Sequence, residues 1–376
     1  MPSEIRTAYN VPSSLTGSGQ TIVIIDAYGS PTLQHDFNVF NGAMGLPTQT
    51  INVVAPLGQP TPYDGSALRR GWAGETSLDV EWAHAIAPGA QITLVISPTS
   101  MSSTMHSTED YAVQNKLGSV ISMSFGANEA DIPGLAQNKY LQHADSLYQQ
   151  AKDANITLIA SAGDLGATNG TSVIHPEFPA SDPLVLSVGG TSLFMADNGT
   201  YQGEKVWNDS DPSQCPFGCK IGLLAAVTGG APSLLLKTPS YQQMLFHPAS
   251  RQVADVSYNA GVYTAVLAYH SYDGPSSAGF YFTGGTSAGS PQWAGIIALA
   301  NQSAGRPLGF VNQALYNIAK NPSTYASSFH DVTSGSNNLF SLPGLPAAPG
   351  YDNPTGLGSP NVANLIPALI AASSSN

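Results

Sequence analysis

Short apolar runs alternate along the chain with longer segments of helical periodicity. The apolar runs, each typical of a strand buried on both faces, cover residues 20–27, 91–96, 119–124, 156–160 and 184–188. Helical patterns cover residues 31–40, 75–87, a stretch ending near 115, and 135–153. This alternation predicts an α/β fold with a parallel sheet, in which sites lie beyond the carboxyl ends of the strands.

Beyond the fifth predicted strand the regular pattern is lost. Residues 191–279 contain turn clusters and hairpin-like runs, and a tail rich in glycine, proline and asparagine precedes a short C-terminal helix from Asn361. The chain shows no internal repeat and no change of composition typical of a linker. We therefore expect residues 1–376 to form one domain.

The charge balance narrows the set of partners. Only 12 Lys and Arg accompany 24 Asp and Glu, which leaves a net charge of −12 at pH 7. Such a surface repels nucleic acid and anionic lipid, so we expect neither as a partner. Few basic residues also mean little positive charge in acid, as is typical of an acid-tolerant extracellular protein. No apolar run could span a membrane, and the first residues lack a signal-peptide pattern, so we expect a secreted, mature form.

Cys215 and Cys219 are the two cysteines of the chain and lie four residues apart. Two cysteines without a histidine close in sequence make a poor zinc site. A small-loop disulfide formed in an oxidising compartment is favoured over the zinc site.

Residues 281–295 have the sequence pattern expected around a nucleophilic serine. An aromatic run enters it, Gly284-Gly285 interrupts it, and an Ala/Ile-rich helical pattern follows. Ser287 stands where this helix should begin, near the positive end of the helix dipole. The alternative is that Ser287 only caps the helix. A nucleophilic serine needs a group that accepts its proton.

Neither of two known orders of serine, histidine and acid along the chain supplies a histidine base for Ser287. An α/β-hydrolase places an acid and then a histidine after the serine, but no Asp or Glu lies between Ser287 and His330. A subtilisin-like order would start at Asp26 and place a histidine on the 75–87 helix. Glu75 and Asp79 share one face of that helix, whereas His84 is half a turn away. The helix thus presents a carboxyl pair, for which a solvated acidic patch is the alternative.

These residues carry a family resemblance. The chain resembles the sedolisins, the serine-carboxyl peptidases with a subtilisin-like fold, and is most similar to the kumamolisin type. The resemblance covers essentially the whole chain. It rests on four groups of residues in order: the N-terminal segment 5–12, Glu75-x-x-x-Asp79, Ser161-Ala-Gly-Asp164 and 284–291, followed by the segments around Asp331 and Asp352. It implies a subtilisin-like parallel sheet between layers of helices, with a calcium-binding loop region at about 330–360.

The resemblance also implies roles for individual residues. Ser287 would attack the scissile carbonyl, Glu75 would take its proton, Asp79 would hold Glu75, and a protonated Asp164 would donate to the oxyanion. A carboxylate base implies activity in acid. Asp26 and Phe125 would be supporting residues. A cleft edge would bind the substrate backbone, and its members are Ser122, Ser124 and Gly126. Phe125 stands where the family usually has tryptophan, and phenylalanine has no N–H donor. Read alone, Asp164 would be a turn residue.

The implied cofactor is one calcium ion, Ca2+. Its ligands would be two carboxylates and three backbone carbonyls, from Asp331, Val332, Ala348, Gly350 and Asp352, and such hard oxygen donors suit calcium. The implied partners are a polypeptide substrate and the chain's own pro-segment as inhibitor and chaperone. We expect a monomer that acts as an endopeptidase. Two alternatives remain: a tripeptidyl-peptidase on the same scaffold, and a non-catalytic, calcium-stabilised binding domain.

Overall fold

The structure is a computed structural model that describes residues 1–132, 139–214 and 224–374. Its strands, numbered in chain order, are β1 Thr21–Ala27, β2 Asn52–Val54, β3 Gln91–Ser97, β4 Val120–Met123, β5 Ala127–Asn128, β6 Thr157–Ser161, β7 Glu177–Phe178, β8 Val185–Met195, β9 Tyr201–Val206, β10 Val256–Asn259, β11 Val266–His270, β12 Gly279–Thr283, β13 Phe329–His330 and β14 Ser359–Pro360.

The helices are also numbered in chain order. They are α1 Pro2–Ala8, α2 Leu33–Met44, α3 Ala67–Ile86, α4 Ser102–Gln114, α5 Lys139–Asp153, α6 Ser240–Phe246, α7 Thr286–Ala304, α8 Asn312–Ala319, α9 Pro322–Ser328 and α10 Val362–Ser373. Short 3-10 turns occur at Glu129–Asp131, Pro212–Gln214 and Pro275–Ser277.

The central sheet has the strand order β10-β8-β6-β4-β1-β3-β2, with β9 paired to β8. Every neighbouring pair along this path is parallel, and only β9 runs antiparallel, against β8. The sheet is therefore mainly parallel, and the carboxyl ends of its strands meet at one edge. The predicted α/β class with a parallel sheet is confirmed.

Both faces of the sheet are covered, because side chains alternate along each strand. In β1, Ile22 and Ile24 enter the core beneath α3 and α7, whereas Val23 and Ile25 enter the core beneath α4 and α5. Helix α7 packs across β1, β4, β6, β8 and β10. The buried pattern of the apolar runs thus has its physical cause in this three-layer arrangement.

Two predicted elements differ from the structure. The second predicted helix begins at Ala67 instead of residue 75, because the Ser66 hydroxyl accepts a hydrogen bond from the Arg69 N–H (3.4 Å) and caps it. Gly71 and Gly74 within its first turns weaken the helical signal there. Strand β10 lies in the region predicted to be loops, because its four residues are too few to show a period.

Three further sequence predictions concern the two cysteines, the start of the 135–153 helix and the absence of a membrane span. Cys215 and Cys219 lie outside the described residues, and so does the predicted start of the 135–153 helix. Within the described residues, none of the helices has the length and apolar character needed to cross a membrane.

Candidate active site

The predicted site residues converge at the carboxyl edge of the sheet. Asp26 is the second-last residue of β1, and Asp164 follows the end of β6 by three residues. Ser287 is the second residue of α7, which places its hydroxyl at the positive end of that helix. Gly285, at φ 107°, passes so close to Asp164 that a Cβ there would lie 2.6 Å from the Asp164 Oδ2. Only glycine fits this approach.

The Ser287 hydroxyl lies beside the Glu75 carboxyl, where it acts to lower the pKa of that carboxyl. One turn further along α3, Asp79 accepts a hydrogen bond from the Ser124 hydroxyl (3.0 Å) through Oδ1. The remaining oxygens, Glu75 Oε1 and Asp79 Oδ2, are buried and make no hydrogen bond to any residue that the structure describes. A nucleophile, a carboxyl beside it and a second carboxyl behind it are therefore assembled in one place.

His84 is not available as an alternative base. Its side chain is fully buried on the far side of α3, where its ring nitrogens contact Gln49 Nε2 and the Pro47 carbonyl oxygen, both at 2.8 Å. Its ring also packs edge-on against Phe37. The histidine is thus held in the core by its own hydrogen bonds.

Burial makes the carboxyls of this cluster unusually weak acids. Desolvation is the largest cause of the raised pKa of Glu75, Asp79 and Asp26, and the negative charge of Asp26 raises the pKa of both Glu75 and Asp79 further. The Ser287 hydroxyl beside Glu75 and the hydrogen bond from Ser124 to Asp79 lower the pKa of these two carboxyls. The three carboxyls therefore hold protons in common and lose them stepwise.

One carboxyl oxygen of Asp164 accepts hydrogen bonds, and the other lies beside Gly285, in the loop that precedes Ser287. Its Oδ1 accepts hydrogen bonds from the backbone N–H (2.8 Å) and the hydroxyl (2.7 Å) of Thr286. Burial raises the pKa of Asp164, which favours the protonated form. A proton on Oδ2 would turn this carboxyl into a hydrogen-bond donor next to Ser287.

The predicted cleft-edge residues lie beside the cluster, but two side chains point inward. Ser122 Oγ is buried and lies 2.9 Å from Ser290 Oγ on α7, and the Ser124 hydroxyl is used by Asp79. Phe125 is partly buried against the core beneath α4 and α5. Any contact of Ser122 or Ser124 with a substrate would therefore be made through the backbone.

Glu177 is a site residue that the sequence did not indicate. It belongs to β7, which pairs with β5 directly after Gly126. A Cβ on Gly126 or Gly163 would lie within 2.4 or 2.9 Å of its carboxyl group, so both glycines are needed to admit it. Burial, followed by the charge of Asp164, raises the pKa of Glu177 to about 7. Its sequence context, Pro-Glu-Phe-Pro, contains no motif that could have revealed it.

The structure also brings together the two acids of the predicted calcium region. Asp331 Oδ2 accepts from the Gly350 N–H (2.9 Å), and Asp352 Oδ2 accepts from the Ala348 N–H (3.0 Å). Burial and, to a smaller extent, the charge of Asp331 raise the pKa of Asp352 to about 6. Within the described ranges there is no group of three or more His, Cys, Asp or Glu side chains that could hold a metal. Two neighbouring carboxylates amid backbone carbonyls nevertheless have the donor chemistry that calcium requires.

The raised pKa values predict that the fold is most stable in acid. Asp26, Glu177 and Asp182 have a pKa of about 7, against about 4 for carboxyls in the unfolded chain. Between about pH 4 and pH 7 the folded state therefore binds more protons than the unfolded state. The free energy of unfolding should fall across this window as pH rises. We expect a higher midpoint of thermal unfolding at pH 4 than at pH 7.5, measured by circular dichroism.

The Asp182→Asn variant provides the control, because Asp182 is buried apart from the Ser287 cluster. Its amide does not titrate, so the midpoint should change less steeply with pH than in the wild type. A midpoint that stays constant or rises from pH 4 to pH 7.5 would contradict the prediction.

Comparison with known proteins agrees with this geometry. The Subtilase family profile (Peptidase_S8) matches residues 71–321. Kumamolisin of Bacillus sp. (strain MN-32) is 32% identical over 99% of this chain and 64% of its own length. Tripeptidyl-peptidase 1 of Canis lupus familiaris is 28% identical over 98% and 64%, respectively. The chain thus spans less than two thirds of the length of these two relatives.

A solved structure is similar to this chain over almost its whole length. Pseudomonas sedolisin, a serine-carboxyl proteinase complexed with two molecules of pseudo-iodotyrostatin, superimposes with a TM-score of 0.81 at 30% identity, over 97% of this chain and 96% of that chain. The chain therefore belongs to the subtilase family, and within it to the sedolisins, with kumamolisin among its relatives.

Proposed function

We propose that this protein is an acid-active serine-carboxyl endopeptidase that hydrolyses peptide bonds of unfolded polypeptides. The observation that carries the proposal is the placement of the Ser287 hydroxyl beside the Glu75 carboxyl, with Asp79 one turn behind it and Asp164 hydrogen-bonded to the preceding residue, Thr286. Nucleophile, base and oxyanion donor are thereby within reach of a single carbonyl group.

Acylation follows from these contacts. The Ser287 oxygen attacks the scissile carbonyl carbon while its proton moves to Glu75, and the oxyanion accepts a hydrogen bond from protonated Asp164. Collapse of the tetrahedral intermediate breaks the C–N bond, and the proton on Glu75 passes to the leaving amine. Water then attacks the acyl-enzyme with Glu75 again as base, which releases the acid product and restores Ser287.

The protonation states required for this sequence define its pH range. The Asp26–Glu75–Asp79 cluster must have lost a proton so that Glu75 can act as a base, while Asp164 must keep its proton to donate. Burial raises the pKa of Asp164, which extends its protonated range upward, and deprotonation ends activity at higher pH. We therefore propose a bell-shaped profile, and its acidic maximum requires that the carboxyl cluster loses its first proton at a lower pH than Asp164 loses its own.

The test is hydrolysis of a reduced, unfolded protein between pH 2 and pH 8, with products identified by mass spectrometry. Internal cleavage that peaks in acid supports the endopeptidase. Release of tripeptides from the amino terminus would instead establish the tripeptidyl-peptidase alternative. A maximum at neutral pH would overturn the role of the carboxyl pair, and complete inactivity would favour the non-catalytic domain.

Substitutions of Asp164 test its role as oxyanion donor. Asp164→Ala should lower kcat by about 10²–10³-fold, the usual loss for one oxyanion donor. Asp164→Asn keeps the oxygen that accepts from Thr286 and replaces Oδ2 with an N–H donor that does not titrate. We expect Asp164→Asn to retain more activity than Asp164→Ala and to move the alkaline limb upward. Equal losses in the two variants, measured as kcat against pH, would contradict this role.

We also propose that one calcium ion binds at residues 330–360. The Asp331 and Asp352 carboxylates would be ligands, joined by backbone carbonyls of Val332, Ala348 and Gly350. The ion would neutralise two neighbouring negative charges and hold the loops between β13 and β14 against the body of the protein. Its contribution would be to stability, since the Asp331 and Asp352 carboxylates are held by Gly350, Ala348 and Thr355, which belong to the same loops.

Calcium removal should therefore lower the midpoint of thermal unfolding. A ligand at 100 times its Kd stabilises by about 2.7 kcal/mol, so EGTA should lower the midpoint by several degrees, and added calcium should restore it. Asp352→Asn should make the midpoint insensitive to EGTA. The matched variant Asp273→Asn, at an exposed acid that pairs with Arg70, should remain sensitive. Equal midpoints of the wild type with and without EGTA would overturn the site.

Three further proposals concern the protein outside the described site. The relatives are longer than this chain, and sedolisin-type proteases carry pro-segments, so we propose a pro-segment as the natural inhibitor of this active site. Secretion is proposed on the basis of the low content of basic residues and the secreted relatives. Activity as a monomer completes the proposal.

A further inference from the structure

An apolar cavity of about 570 Å³ opens beyond the carboxyl ends of β8 and β10. Its lining includes Leu193, Phe194 and Met195 at the end of β8, together with Val262, Tyr263 and Phe282. None of the described residues that line it is charged. The Phe282 ring is 77% exposed. A ligand that covers this exposed aromatic ring and fills the apolar cavity removes apolar surface from water, which favours binding.

The cavity is joined to the nucleophile through the loop that precedes it. A Cβ on Gly284 would lie 3.0 Å from Val262 Cγ2, and the Gly285 N–H donates to the Ala260 carbonyl (2.7 Å). Val262 itself is anchored by its N–H to Asp209 Oδ2 (2.8 Å). Gly284 precedes Ser287 by three positions, a distance of about 10 Å at most. An extended peptide at Ser287 therefore reaches the cavity within about three residues.

The order of the strands in the sheet determines whether the cavity lies on the acyl side or the leaving-group side of a bound peptide. Along the carboxyl edge, Ser124 follows β4, Asp164 follows β6, and Ala260 follows β10. The 122–126 cleft edge and the cavity therefore lie on opposite sides of Asp164. A substrate whose acyl part runs along 122–126 and whose carbonyl faces Asp164 must extend its leaving-group part toward β8 and β10.

We infer that this cavity is a specificity pocket for a large apolar side chain, such as Phe, Leu or Met, within three residues after the scissile bond. The inference rests on the proposed peptidase function and adds the class of substrate. Because the lining lacks charge and Phe282 is exposed, an aromatic or aliphatic side chain gains burial there, whereas an aspartate loses hydration.

The experiment uses internally quenched peptides with one acyl-side sequence and Phe, Leu, Ser or Asp at each of the first three leaving-side positions. At one position, we expect kcat/KM for Phe to exceed that for Ser by about 10-fold or more, the range that a hydrophobic pocket provides. Phe282→Ala should reduce this ratio to about 2-fold. Ala265→Trp, which fills the cavity from its lining, should do the same. Phe340→Ala, the same change at an exposed ring outside the lining, should preserve the ratio.

The outcomes separate this inference from the proposed function. Hydrolysis of all peptides at similar rates would overturn the pocket and leave the peptidase intact, and so would a ratio unchanged in both lining variants. Absence of hydrolysis by the wild type would overturn both. If Phe282→Ala fails to fold, the Ala265→Trp ratio decides. A lower ratio in the lining variants, together with a preserved ratio in Phe340→Ala, supports the pocket.

Discussion

Replacement of Ser287 by alanine should lower kcat for peptide hydrolysis by about 10⁴-fold or more, the scale of loss seen when a serine nucleophile is removed. Without the hydroxyl no acyl-enzyme can form, while Glu75 and Asp164 keep their positions. The measurement is the rate of cleavage of a quenched peptide at the acidic optimum, with the midpoint of thermal unfolding recorded alongside. The midpoint should change little, because the Ser287 side chain lies at the cleft.

Ser290→Ala is the matched control, since it makes the same change one turn further along α7. Ser290 is buried and its hydroxyl contacts Ser122 Oγ (2.9 Å), away from the carboxyl cluster. We expect it to retain activity within about 10-fold of the wild type. Comparable losses in both variants would indicate that the helix start, and not the nucleophile, was damaged. Full activity of Ser287→Ala would contradict the mechanism.

The second large effect is expected from Glu75→Gln, which keeps the shape of the side chain and removes its capacity to take a proton. The loss in kcat should be about 10²–10⁴-fold, the usual contribution of a general base. Because glutamine does not titrate, the residual activity should lose the acidic limb of the profile that Glu75 would otherwise impose. The measurement is kcat from pH 2 to pH 8 on the peptide used for Ser287→Ala.

Glu81→Gln controls for the removal of a buried carboxyl from the same helix. Glu81 is fully buried on α3 and accepts from the Tyr269 N–H (3.0 Å), so it faces the β11–β12 hairpin instead of Ser287. We expect Glu81→Gln to keep the shape of the pH profile. A profile that is unchanged in Glu75→Gln would assign the base to another group and overturn the proposed mechanism.

Local sequence was sufficient for the parts of the site that depend on a short stretch of chain. Helical geometry alone places Glu75 and Asp79 on one face and His84 on the other, as α3 has them. The double glycine before Ser287 likewise indicates a turn into a helix, and α7 begins at Thr286. Apolar runs marked the main strands because a strand covered on both faces has no polar side to interrupt its pattern.

Only the tertiary structure decided what depends on residues distant in the chain. β10 was too short to be read as a strand, yet it places Ala260 and Val262 beside Gly284 and Gly285. Glu177 enters the site because Gly126 and Gly163, far from it in sequence, leave room for its carboxyl group. The raised pKa values of Asp26, Glu75 and Asp79 likewise arise from burial where α3, α7 and β1 pack together. Periodicity is a property of neighbours along the chain, whereas close approach and desolvation depend on which elements pack together.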